Sequence, residues 1–226
     1  MGRSSQFALG GERADPPVRP LLADALRHHG AVDADQVAML REVLAATGWL
    51  ERTGEFARAL RTSTRAPGKL LLVGTPSEDP WHLAAHLDDE SRLNRIPELS
   101  PTLVRWSPPP QAPPHLRIGL ERLERAGRGE TLFVVAEDAA PAPLLERVDD
   151  ARRGGATILA LDGGDRDLEG LAHEALTVPP QDRLLSFDGA QHLVSAAAGA
   201  APERRRGLRE RLARVLERIS GPVVPD

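Results

Sequence analysis

Apolar positions fall along the chain in two rhythms. LLLVG (70–74), TLFVVA (131–136) and TILALDG (157–163) are short unbroken apolar runs. Their length and continuity match parallel strands covered on both faces. PTLVRW (101–106) gives a further strand. Between them the spacing turns helical. GWLERTGEFARALRTS, PWHLAAHLDDESRL, HLRIGLERLERAG and APLLERVDDARRGG each carry apolar residues three and four apart, and Pro80 suits the first turn of the second. LAHEALTVP predicts a short helix and a last edge strand, and DRLLSFDGAQHLVSAAAGA a weakly polar, buried helix. Before these lie LLADALRHHG, stopped by Gly30, and a helix N-capped by Asp33; PERRRGLRERLARVLERIS closes the chain as an amphipathic helix.

Strands alternating with helices predict a three-layer α/β/α sandwich around a mainly parallel five-stranded sheet. In such a fold ligands sit beyond the carboxyl ends of the strands, here the turns after Gly74, Trp106, Ala136 and Gly163. SPPPQAPP (107–114) lacks donors and reads as a stiff connector inside the domain. Residues 1–20 read as a disordered lead, 21–220 as one domain and 221–226 as a tail.

Composition narrows the chemistry. The 226 residues hold no Cys, which excludes thiolate metal sites, thiol nucleophiles and disulfides and suits a cytoplasmic protein. The lead has no apolar core of a secretory signal, and no run is long enough to span a membrane. A net charge of -4 gives no general attraction to nucleic acid. Arg204 to Arg206 are followed by Glu210 and Glu217 and have no aromatic neighbours, so they read as a solvated helix face. Gly-x-Ser-x-Gly, a strand followed by GxGxxG, and a P-loop are all absent. DGGDRD (162–167) resembles a calcium loop in composition only.

Three stretches together resemble the SIS (sugar isomerase) domain family, in particular its phosphoheptose isomerase branch. In GKLLLVGTPSEDPWHLAAHLDDESRLNR, His82 falls on a family His, His86 on a family Glu, and RLNR (92–95) on a trailing Arg-x-Asn-Arg segment. ARRGGATILALDG matches a family helix end and strand. DRLLSFDGAQHLV resembles a late site helix, with His192 on its His and Leu184 on its Gln. The resemblance covers residues 33–200. It implies a SIS-like fold, a sugar-derived small-molecule ligand, and a homo-oligomer, dimer or tetramer. It also places Thr75, Ser77, Glu137 and Asp138 in the ligand-binding turns.

The departures from that pattern carry most of the information. Where the family binds a sugar phosphate with hydroxyls, this chain has Ala136, Glu137, Asp138 and Ala142; its first loop adds Pro76, Glu78 and Asp79 to Thr75 and Ser77. A carboxylate about 4 Å from a phosphate opposes it by roughly 1 to 4 kcal/mol, depending on screening. The expectation is therefore a SIS-like protein without a working phosphate cradle, catalytically degenerate, with a binding or regulatory role. Two alternatives stay open: an active sugar-phosphate isomerase using His86 and His192 as catalytic groups, and a structural partner of an active SIS enzyme. His82 and His86, four apart on a helix, could join His192 to hold a divalent metal such as zinc, with Asp188 adding an oxygen. The simpler reading makes them inherited core or polar histidines. Glu137 and Asp138 are equally explained as carboxylates at a helix start. Arg92 and Arg95 suit a solvated helix end, and Trp49, Trp81 and Trp106 the core or an interface.

Overall fold

The computed structural model describes residues 46–108, 111, 113, 117–182 and 185–200. The helices expected before residue 46, the closing amphipathic helix, His28, His29 and Leu184 lie outside the described residues, as does part of the proline-rich connector.

Five strands form one sheet: β1 (Leu70–Val73), β2 (Thr102–Val104), β3 (Thr131–Ala136), β4 (Thr157–Asp162) and β5 (Glu174–Thr177). All pairings are parallel, in the order β2-β1-β3-β4-β5. Every residue of β1 and β3 is buried, which explains their unbroken apolar runs. Alternate side chains feed two cores. Leu70, Leu72, Phe133 and Val135 face one side, and Leu71, Val73, Leu132 and Val134 the other.

The first side is covered by α1 (Trp49–Ser63), α2 (Trp81–Asn94) and α5 (Phe187–Gly199). On α1 the buried residues Trp49, Thr53, Phe56, Ala57 and Leu60 form one helical stripe. Helix α5 packs on both α1 and α2 and starts at Ser186, whose hydroxyl accepts from the Gly189 N–H at 3.0 Å. The second side is covered by α3 (Ala142–Arg153) and α4 (Arg166–Leu171) with a 3-10 segment, Leu120–Arg125. Asp165 caps α4, accepting from the Asp167 and Leu168 N–H groups.

Two elements differ from the sequence reading. Among the described residues of HLRIGLERLERAG the helical part is only the six-residue 3-10 segment, and Gly119 before it pairs with Arg105 as an isolated parallel bridge. Gly119 itself is extended (φ -96°, ψ -179°), so the helix cannot begin earlier. The short helix expected in LAHEALTVP lies just before it, at α4, where Asp165 supplies the cap that LAHEALTVP lacks. The edge strand is present as β5.

Candidate functional site

Strand order reverses at β1, which has β2 on one side and β3 on the other. The crevice beyond the carboxyl ends of β1 and β3 is therefore the topological switch point where this class of sheet places its ligands. Two turns form it: residues 74–80 after β1 and 137–141 after β3.

The first turn curls back on its own strand. A Cβ at Gly74 would lie 1.9 Å from the Glu78 carbonyl oxygen and 2.6 Å from Pro80 Cδ, so only glycine fits there. Thr75 is buried, and its hydroxyl lies 3.0 Å from that of exposed Ser77; the two bond each other. The curl carries Glu78 across the crevice. Its Oε2 accepts from the Glu137 N–H at 3.3 Å, and its Oε1 accepts from Gln191 Nε2 at 3.0 Å. Burial, the charges of Glu137 and Asp188, and incomplete compensation by these hydrogen bonds hold the Glu78 carboxyl above the usual range.

The second turn is tied at both ends. Glu137 N–H goes to Glu78, while Ala140 N–H donates to Asp165 Oδ2 at 2.7 Å. A Cβ at Gly163 would lie 2.1 Å from the Glu137 carbonyl oxygen, so β4's own turn presses against this one. Glu137, Asp138 and Ala139 are exposed; Ala140 is buried. In a phosphate-binding unit such N–H groups point at the anion. Here two of them already hold carboxylates supplied by the chain itself.

A histidine pair stands on the helix side. His86 on α2 and His192 on α5 approach to 4.4 Å between ring centroids, and His192 Nε2 lies 3.5 Å from Asp188 Oδ2. Burial first, then the neighbouring His192, lowers the pKa of His86, so its imidazole is neutral near pH 7. His82 is exposed and lies edge-on to the ring of Trp81, with centroids 3.5 Å apart. Among the described residues no three His, Asp or Glu side chains form a group that could hold a metal.

Of the sequence-derived candidates, then, the fold brings His86 and His192 together, pairs Thr75 with Ser77, and keeps Glu137 and Asp138 at the mouth. Gln191 was missed. Its side chain is buried and faces Glu78, with Oε1 left without a partner among the described residues. The signal was present, because Gln191 falls in the apolar stripe Phe187, Gln191, Val194 and Ala198, where a polar residue calls for a partner. Asp165 was also missed; its role depends on β3 and β4 being neighbours.

No protein-family model matches the chain, and no curated protein sequence does. Among solved structures, a protein from Silicibacter pomeroyi DSS-3 assigned as a phosphosugar isomerase superposes with a TM-score of 0.52 at 14% identity, over 82% of this chain and 54% of that one. A protein from Salmonella typhimurium LT2 assigned as sugar-binding gives 0.48 at 18% identity, over 86% and 55%. The Vibrio vulnificus NanR protein complexed with ManNAc-6P gives 0.43 at 14% identity, over 89% and 73%. The chain thus spans about half the length of the first two. The first likeness establishes a shared fold, the open parallel α/β sandwich.

Proposed function

We propose that this chain is a SIS-like domain whose phosphate cradle has been closed by its own carboxylates, and that it serves as a carbohydrate-derivative-binding or regulatory protein without isomerase activity. One observation supports this most strongly: at the switch point, the Glu137 and Ala140 N–H groups are engaged by Glu78 and Asp165. An incoming phosphate dianion must displace both carboxylates and then face them, together with Glu137 and Asp138, at close range. Because remote phosphate binding normally contributes much of the transition-state stabilisation, losing the grip removes catalysis as well as affinity.

A second reading is an active isomerase. It is favoured by the contact between His86 and His192 and by the neutral imidazole of His86, a competent base near pH 7. Thermal-shift measurements with phosphorylated sugars separate the two. Under the first reading, sedoheptulose 7-phosphate and hexose phosphates leave the unfolding temperature unchanged. A saturable rise that is lost in His86→Ala favours the isomerase. The family resemblance adds homo-oligomeric assembly to the proposal. Sedimentation velocity checks this, and a monomer across the concentration range contradicts it.

A further inference from the structure

A cleft of about 220 Å³ opens on the other side of the β1 turn, between the ends of β1 and β2. We propose that this cleft binds an uncharged polyhydroxylated ring, a monosaccharide without phosphate. The inference deepens the carbohydrate reading above and rests on it.

The lining argues for that chemistry. Asp79 supplies acceptors, Arg105 and Ser107 supply donors, and Val104 and Trp106 supply apolar wall. A sugar hydroxyl both donates and accepts, so it needs such a mixed set, while the ring's C–H faces need an apolar surface. Trp106 is fixed in place by its indole N–H, which donates to the Gly74 carbonyl at 2.8 Å. Arg105 is oriented by an ion pair with Asp79 at 2.9 Å, which holds its guanidinium at the cleft. The Asp79–Arg105 pair is neutral as a unit, so Glu78 leaves the cleft net acidic, and a phosphorylated version of the same sugar is disfavoured. The volume lies below the range of drug-sized pockets and suits a single ring.

The test is a calorimetric titration of the full chain with D-glucose, D-mannose and sedoheptulose, each with and without phosphate. The Trp106 indole N–H resonance is followed in parallel. Two rim variants accompany it: Ser107→Phe, which fills the exposed edge of the cleft, and Asp79→Asn, which removes a charged acceptor. Circular dichroism confirms that both fold. The proposal expects an unphosphorylated sugar to bind and to shift the Trp106 resonance. It also expects binding to be lost in Ser107→Phe and weakened about tenfold in Asp79→Asn, the size of a hydrogen bond to a charged group. Sugar binding that neither variant disturbs overturns the cleft assignment and leaves the carbohydrate reading standing. Binding of the phosphorylated forms alone overturns both. No binding by any member of the panel overturns the cleft assignment.

Discussion

Glu78 and Asp165 do the same thing from opposite sides: each places a carboxylate on a backbone N–H of the turn after β3. Asp165 also caps α4, so Asp165→Ala removes the cap and leaves the buried Ala140 N–H unpaired. The expected loss, measured by urea unfolding, is about 2 to 3 kcal/mol. Asp162, just before it, is fully buried. Its Oδ1 accepts from the Gly164 and Asp165 N–H groups, while Oδ2 has no partner among the described residues. Burial, helped by the charges of Glu169 and Asp165, raises its pKa from 3.8 to about 6. A raised acid pKa means that the folded state binds more protons than the unfolded one between these two values. Stability therefore falls as pH rises through that window. Glu78, shifted the same way, adds to the trend. Because the lowered pKa of His86 acts in the opposite direction, the contribution is read as a difference: in thermal melts from pH 4 to pH 7 the parent should lose stability relative to Asp162→Asn as pH rises, and a constant difference contradicts the assignment.

At the scale of elements, the turns after β1 and β3 depend on two close approaches. Gly74→Ala drives a methyl into the Glu78 carbonyl, and Gly163→Ala drives one into the Glu137 carbonyl. Both obstacles are backbone, so each substitution is expected to cost at least about 3 kcal/mol, the upper end of ordinary overpacking. Chemical denaturation checks this, and a loss below about 1 kcal/mol would mean that the turns yield easily. What the sequence made legible here follows from burial. Strands β1, β3 and β4 announce themselves because both faces are covered, and α1 and α3 because one stripe is. HLRIGLERLERAG misled because its apolar spacing suits a helix, while a single bridge to Arg105 holds Gly119 in its middle extended. That bridge is a contact between residues 14 apart, and no local pattern encodes it.

For the whole molecule, the sheet order places β1 and β3 side by side, and this adjacency decides the chemistry. The acidic character of residues 137 and 138 was readable, and so was the prospect of His86 meeting His192. That Glu78 would bridge to the β3 turn, that Gln191 would hold it, and that Asp165 would clamp Ala140 were not readable. Each pairs residues 25 to 113 positions apart. If the closure is what excludes phosphate, removing it should restore some affinity. Glu78→Gln combined with Asp165→Asn keeps the side-chain shapes and removes two negative charges. This double variant should bind sugar phosphates at least about tenfold more tightly than the parent, measured by calorimetry, since each removed repulsion is worth roughly 1 kcal/mol or more. No gain would show that charge at these two positions is not the barrier.

The most direct measurement follows the backbone amides of Glu137, Asp138, Ala139 and Ala140 by NMR while sedoheptulose 7-phosphate is added to the unaltered protein. Closure by Glu78 and Asp165 predicts that these four resonances stay in place throughout the titration. Saturable shifts centred on them would mean that the turn accepts a phosphate after all.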